Sequence, residues 1–571
     1  MRIKIIRLAI IGLFVLIAVD LIYVQVIRGQ YFYHLSTNNR IRIVPLEGWR
    51  GRIEDRNGKI LADRRVSYNV MVAPQDLLDQ QELFRYLAKV LSVDQKKIEE
   101  TYAQKKHALF APVVVAEDIG RDKAIILEEN KYLYPSLIVQ EGFRRSYPLG
   151  KNSAHVLGYV GKINRVQKEK FKEYGYSPQS MIGYSGVEEY YDAYLKGEEG
   201  GLQIEVNSRG QQVQLLSLKE PATGQDIRLT IDSDIQQIAM DVLEGKTGVI
   251  IVMDMANGEV LGMTSVPAYD PNVFVDVKEQ SQIARLFNNS SAPLLNRAIK
   301  GLFPPGSVFK VPVAIGGLDS RKITMHTTYH CDGSYEVGGM TFRCTHAHGP
   351  ENLIESLAHS CNIYYYRLGL VLGADMIQQY ARQLGLGSLT HIDLPYEESG
   401  HVPSRRQRSL RKKEQWYTGD TLNLSIGQGG LLVTPMQMIR MMATVANSGM
   451  ELQPHVIKAI GGITVDQYDL KGDIKISREA LETVQKGMRE AVTNYSGTAH
   501  ALDLPELYVA GKTGTAQTSG DQLSHAWFVG YAKGEARNIA FCVFLEHGDS
   551  SQNACLAARE LLLGMQAKDL L

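Results

Sequence analysis

The first thirty residues limit most strongly what this chain can fold into. MRIKIIRLAIIGLFVLIAVDLIYVQV puts Arg2, Lys4 and Arg7 ahead of nineteen mostly apolar residues, Leu8 to Val26. A helix of that length rises about 30 Å, one hydrocarbon core. Basic residues before such a span keep the first residues in the cytoplasm and send the rest outward. A cleaved signal peptide has a shorter apolar run and a small-x-small cleavage site, whereas Tyr23, Gln25 and Ile27 follow here. Residues 8–27 therefore read as an uncleaved anchor, with 1–7 cytoplasmic. Asp20 lies within it, towards its outer end. An acid at the centre of a lone helix costs about 2.5–3.5 kcal/mol. Asp20 is either wetted by a helix that slides outward or held by another membrane protein.

At 571 residues the rest is too long for one domain, and an apolar content of 44% supplies a core. Lys+Arg and Asp+Glu balance at 62 each, so no global field draws nucleic acid and function must come from sites. Five cysteines without a CxxC pair weaken redox and zinc-finger readings.

After the anchor, WRGRIEDRNGKILADRRVSYNVMVAP reads as a hairpin turning at Asn57-Gly58. Residues 80 to 135 carry helical periodicity, as in LFRYLAKVL, and glycine-punctuated elements follow. This stretch, 28–215, gathers no chemical cluster and reads as a mixed α/β support module. A second region, 216–571, opens with a strand and a helix in 221–245. A hairpin over 248–271 then turns at Asn257-Gly258. Its VIIVMD strand is nearly all apolar, which places it inside a sheet. Helical patterns dominate from 307 to about 450, and NIAFCVFLEH reads as a late buried strand. Strands at both ends with helices between predict an α+β domain built on one sheet from distant segments.

Within FPPGSVFKVPVAIGGLD, Ser307 and Lys310 stand three apart just after a Pro-Pro-Gly break. A serine hydroxyl needs a neighbour to take its proton. A lysine serves if dry surroundings or a nearby cation lower its pKa. One helical turn brings the two together near a helix start, where free N–H groups favour negative charge. Pro312, two residues beyond Lys310, is awkward in a helix interior and predicts a short or distorted turn. Two further segments can converge on the pair: Ser360-Cys361-Asn362 before an aromatic helix, and Lys512-Thr513-Gly514-Thr515 on an extended edge, with the glycine giving a ligand room. Serine-x-x-lysine, a serine/asparagine triad and Lys-Thr-Gly form a known catalytic set. Ser409/Lys412 in a basic run, Lys246-Thr247-Gly248 and Ser36-Thr37-Asn38 imitate its members, but only 307/310, 360/362 and 512/515 occur in order within one domain.

The chain resembles the class B, high-molecular-weight penicillin-binding proteins, monofunctional peptidoglycan D,D-transpeptidases. WRGRIEDRNGKILA and YSGVEEYYDAYLKG are similar to the family's pedestal (dimerisation-type) motifs. NRAIKGLFPPGSVFK, HSCNIYYYRLGL, LNLSIGQGGLLVTPMQM and GKTGTAQ are similar to its transpeptidase motifs. MTFRCTHAHG beside SCNIYYY is closer to elongation-type or sporulation-type members. The resemblance implies a single anchor in a bacterial cell membrane, an elongated α/β pedestal, and an extracytoplasmic penicillin-binding domain with a mainly antiparallel sheet flanked by helices. It implies Ser307 as nucleophile, Lys310 as base, Ser360 as proton relay, Asn362 as a peptide-amide anchor and Lys512 as a source of positive field. Thr513, Gly514 and Thr515 would bind substrate, and backbone N–H groups of Ser307 and Thr515 would form the oxyanion hole. The partners implied are stem peptides, β-lactams as inhibitors and a multi-pass glycan polymerase. No metal or organic cofactor is implied.

Two rival classes fit the acylating serine: a β-lactam sensor, disfavoured by the few residues before the anchor, and a silent scaffold, disfavoured by intact Ser307, Lys310 and Lys512. Cys331 and Cys344 flank a glycine-rich loop followed by His346 and His348; unlinked thiols, a disulfide and a zinc site all stay open.

Overall fold

The computed structural model describes residues 2–571 except 33–40, 47, 107–111, 165–168, 170–179, 207–211, 277–279, 407–408, 410–414, 467, 469–471 and 519–521. The N-terminal helix α1 (Arg2–Ile22) continues as a π turn, Tyr23–Ile27. Ile3–Ile27, 25 residues, is long and apolar enough to cross a membrane and fits a single-pass anchor.

The chain forms two compact units. The first comprises Met1–Arg50, Arg64–Arg144 and Lys196–Gly224. Here the periodicity of LFRYLAKVL becomes helix α2 (Gln80–Leu91). The Asp79 carboxylate caps it by accepting the Glu82 N–H at 3.0 Å, and Ser92 ends it in the left-handed region, φ +59°. Leu83, Phe84, Leu87 and Leu91 form its buried stripe. They pack with Val70 and Val72, and with Val113 and Val115 of a strand, Val113–Ile119, that breaks the helical pattern expected up to residue 135.

The second unit takes Gly51–Asp63, Arg145–Leu195 and Gln225–Leu571. Two stretches that the sequence places in the support module thus fold with the catalytic region. Ile53 pairs in parallel with Ile227, and the Tyr191 hydroxyl donates to the buried Asp393 Oδ2 at 2.7 Å. The turn at Asn57-Gly58 forms as expected, with Gly58 at φ +87°.

In chain order this unit contains helix α3 (Ser233–Val242), strands β1 (Gly248–Asp254) and β2 (Val260–Val266), and helices α4 (Lys310–Asp319), α5 (Leu353–Ala358), α6 (Asn362–Leu372), α7 (Pro435–Ala446) and α8 (Arg478–Thr493). Strands β3 (Tyr508–Ala516), β4 (His525–Lys533) and β5 (Asn538–Leu545) and helix α9 (Ser551–Gln566) follow. The five strands form an antiparallel sheet ordered β2-β1-β5-β4-β3. The glycine-rich loop read between Cys331 and Cys344 instead folds as a short ladder, Ser334–Val337 with Met340–Arg343, inside a second one, Tyr329–Cys331 with Gly349–Glu351.

Successive side chains of a strand point to opposite faces, and both faces of this sheet are covered. Ile250 and Val252 of β1 and Phe541 and Val543 of β5 pack with Ile235 and Ala239 of α3 and Leu561 and Leu562 of α9. Val249, Ile251 and Met253 of β1 and Phe544 of β5 join the larger cluster with Met438 and Met442 of α7. VIIVMD is apolar throughout because neither face is wet. Each fully buried large side chain contributes about 1.5–3 kcal/mol, which makes the sheet a stiff base for the groups on its edge strand β3.

Candidate active site

The Pro-Pro-Gly break ends in one 3₁₀ turn, Gly306–Phe309, that runs into α4 at Lys310. Three residues per turn eclipse positions i and i+3, so Ser307 and Lys310 share a face. Pro312 is the third residue of α4. In a first turn the N–H that proline lacks has no helical partner anyway, and the short turn expected at Ser307 is the 3₁₀ turn that precedes the helix.

Two glycines seat this turn against β3. A Cβ on Gly306, at φ +55°, would fall 2.5 Å from Thr515 O, and one on Gly514 would fall 2.7 Å from Pro305 O. The space at Gly514, read from sequence as room for a ligand, is taken by the chain's own Pro305 carbonyl and Val308 side chain. Trp527 Nε1 holds the same loop by donating to Pro304 O at 3.1 Å.

Lys310 is fully buried. Its Nζ lies 2.7 Å from Ser360 O, 2.7 Å from Asn362 Oδ1 and 3.2 Å from Ser360 Oγ, fifty residues and more along the chain. The backbone at Ser360 is left-handed, φ +59°, a costly state for a non-glycine residue. Between α5 and α6 that conformation turns both its carbonyl and its hydroxyl to Lys310. Burial pushes the Lys310 pKa down to about 8, against the opposing influence of Cys344, Cys361 and Glu351. Lys512 on β3 is also fully buried. Its pKa is held well below the ordinary lysine value, first by burial and then by the Lys310 charge. Thr513 Oγ1 donates to Thr498 Oγ1 at 2.9 Å, and Thr515 is exposed on the edge strand. Thr498 carries no sequence signal; only the fold puts it beside Lys-Thr-Gly.

Lys246 Nζ donates to Val242 O of the helix it follows. Residues 36–38 and Lys412 lie outside the described residues.

A metal-ligating set sits behind the Ser360 turn, where the sequence left unlinked thiols, a disulfide and a zinc site open. Sγ of Cys331, Cys344 and Cys361 and a ring nitrogen of His348 all lie within 4.8 Å of one another, and no cysteine is in a disulfide. His348 Nδ1 is 3.5 Å from Cys331 Sγ and 3.6 Å from Cys344 Sγ. A tetrahedral zinc with ordinary bond lengths needs sulfur and nitrogen about 3.5 Å apart, so the donors fit. Cys361, unsuspected from spacing, completes the set, while His346 offers its carbonyl to Cys331 Sγ at 3.4 Å. The Cys361 thiol, donating to Cys344, holds Cys344 well below the usual thiol range, and the Asn362 N–H, 3.1 Å from its Sγ, acts the same way. Zinc bound there would cross-link the 329–351 ladders to the turn that aims Ser360. Protein purified from zinc-containing medium is expected to carry one zinc per chain by plasma mass spectrometry. Cys331→Ser is expected to lose it together with several degrees of melting temperature. A metal-free wild type would remove the site.

A serine one turn from a partly deprotonated lysine, with a second serine and an asparagine on that lysine and a lysine-threonine edge strand alongside, defines a serine acyl-transferase of the Ser-x-x-Lys kind. Comparison with known proteins agrees. Residues 248–562 match the penicillin binding protein transpeptidase domain, and 45–229 the penicillin-binding protein dimerisation domain. Peptidoglycan D,D-transpeptidase MrdA of Haemophilus influenzae is 31% identical over 94% of this chain and 87% of its own. The penicillin-binding protein (PBP2) of Helicobacter pylori, solved in complex with MreC, superposes with TM-score 0.82 at 29% identity, covering 93% of this chain and 99% of that one. A chain of a peptidoglycan synthase complex that coordinates polymerization and crosslinking gives TM-score 0.76 at 30% identity, covering 99% and 98%. The chain belongs to the class B penicillin-binding proteins, the peptidoglycan D,D-transpeptidases of cell-wall synthesis.

Proposed function

We propose that Ser307 is the acylated residue and that Lys310 takes its proton. A neutral amine has two N–H bonds and one lone pair. Ser360 O and Asn362 Oδ1, each at 2.7 Å, use the two donors, which leaves the lone pair for the Ser307 hydroxyl. Ser307 Oγ attacks the penultimate D-Ala carbonyl of a stem peptide, and its proton passes to Lys310. The tetrahedral oxyanion is held by the backbone N–H groups of Ser307 and Thr515. It collapses with cleavage of the C–N bond, and the terminal D-Ala leaves after receiving a proton through Ser360. The amine of a second stem peptide then attacks the Ser307 ester. Its proton passes by way of Lys310 to the Ser307 oxygen as the ester C–O bond breaks, which frees Ser307 and leaves the amide crosslink. Asn362 holds the peptide amide. Lys512, Thr513 and Thr515 orient the donor along β3, and a β-lactam occupies the same place and traps Ser307.

The observation that carries this reading is the fully buried Lys310, its pKa lowered to about 8, bonded to Ser360 and Asn362. The test is to map the covalent adduct left by penicillin on the wild-type chain: the Ser307 peptide is the expected carrier, and an adduct elsewhere refutes the assignment.

The basic residues before the span support a cytoplasmic N-terminus and an extracytoplasmic catalytic unit. The partner we infer is a multi-pass glycan polymerase in the same membrane, supported by the likeness to a chain of a peptidoglycan synthase complex. Asp20, exposed on the anchor helix, is the candidate contact. Asp20→Leu is expected to reduce co-purification of that partner several-fold and to round the cells, with penicillin acylation unchanged. Normal co-purification and shape would clear Asp20 of the role.

A further inference from the structure

Beside the reacting groups a hydrogen-bonded chain joins the second catalytic segment to the third. Glu351 Oε1 lies 2.7 Å from His359 Nδ1, and His359 Nε2 lies 2.9 Å from Ser496 Oγ, 137 residues on. Two residues after Ser496, Thr498 donates its N–H to Ala358 O at 3.1 Å and its hydroxyl to the same oxygen at 3.2 Å. Thr498 Oγ1 in turn accepts from Thr513 on β3. The loop after α8 is therefore fastened on one side to the residues just before Ser360 and on the other to the Lys-Thr-Gly strand.

Glutamate, histidine and serine in a row have the outline of a nucleophilic triad, but the surroundings deny that role. The Ser496 hydroxyl donates to Asn494 Oδ1 at 2.8 Å, which leaves His359 Nε2 as the donor to Ser496. The N–H groups of Ser496, Gly497 and Thr498 are already given to Asn494 Oδ1, Asn494 O and Ala358 O. These three N–H groups are therefore not free for an oxyanion, and without such donors an acylating serine loses its largest source of stabilisation. The row is built to hold position.

We propose that His359 is a positioning residue for transpeptidation: the Glu351–His359–Ser496 clamp fixes the loop 494–498 against the Ser360 turn and so sets the distance between Ser360 and the Thr513 strand. Three features support it. Ser360, the next residue, holds a left-handed backbone that its surroundings must enforce. Glu351 is buried, with Oε2 lacking a partner, a cost that core packing alone would not retain. The bonds from Ser496 and Thr498 supply side-chain and backbone tethers from the loop to one turn, which fixes its place against Ser360.

The proposal rests on Ser307 as the acylation centre. Wild-type chain that fails to label at Ser307 would sink that reading, while failure of the clamp leaves wild-type labelling intact. The test uses full-length protein in detergent, a fluorescent penicillin, and the single variants His359→Ala, Ser496→Ala and His359→Gln with the His359→Ala/Ser496→Ala double. His359→Ala and Ser496→Ala are each expected to slow the maximal acylation rate about tenfold, with reversible affinity unchanged and the double no slower than either single, as contacting residues couple. His359→Gln, with an amide N–H near the Nε2 position, is expected to recover most of the loss. Additive slowing in the double, a glutamine no better than alanine, or unaltered acylation in Ser496→Ala would each overturn the clamp. Ser496 is exposed, so its variant decides the question even where His359→Ala does not fold.

Discussion

A Ser307→Ala variant takes up no fluorescent penicillin, whereas Ser409→Ala takes up as much as the wild type. The first result is expected to be complete rather than graded. A covalent adduct needs an oxygen at that position, and the other hydroxyl against Lys310, that of Ser360, sits on a separate turn with its carbonyl committed to the same amine. Loss of function here is not loss of fold. Ser307 is half-buried in the 3₁₀ turn while Val308 and Phe309 carry the packing, so alanine removes one hydroxyl and leaves the apolar contacts in place. Its melting temperature should therefore match the wild type within a degree or two. Gel fluorescence and intact mass read the label, and thermal unfolding checks the fold. Labelling that survives in Ser307→Ala and vanishes in Ser409→Ala would move the nucleophile to the basic run and end the mechanism proposed above.

The candidate catalytic groups were legible because each is announced by neighbours in sequence: a helix start for Ser307 and Lys310, a turn before an apolar helix for Ser360 and Asn362, an edge strand for Lys512. Local periodicity also announced the sheet, since a strand covered on both faces has no polar side to interrupt VIIVMD. What stayed hidden depends on long-range closure. Cys361 becomes a metal-ligand candidate only once α6 docks beside the 329–351 ladders. His359 becomes a clamp only once the loop after α8 reaches it from 137 residues away. Residues 51–63 and 145–195 fold with the second unit through the Ile53–Ile227 pairing and the Tyr191–Asp393 bond, neither of which leaves a local mark. The short turn that Pro312 predicts is present as the 3₁₀ turn Gly306–Phe309, but the sequence did not say that the α-helix would start at Lys310. Gly514 was assigned to the ligand because sequence does not say which backbone will approach a glycine.

Acylation of the wild type is expected to rise with pH through about 8 and then level. The sign follows from the role. Lys310 serves as a base only when neutral, and its pKa is lowered to about 8 by burial, so the competent fraction falls tenfold for each pH unit below that value and saturates above it. The Lys512 pKa is lowered as well, first by burial and then by the Lys310 charge, so the two amines interact and the apparent midpoint belongs to the pair. Lys310→Arg separates charge from basicity. Its guanidinium stays protonated at every accessible pH, so the variant should lose about 10²–10⁴ of the acylation rate, the usual worth of a positioned general base, and lose the pH limb with it. Lys310→Ala should fall as far, also without a limb. The measurement is the second-order acylation rate constant from pH 6 to pH 10 for the three proteins. A flat wild-type profile, or a rising limb that survives in Lys310→Ala, would assign the proton to another group and leave the buried amine as a purely electrostatic neighbour of the ester.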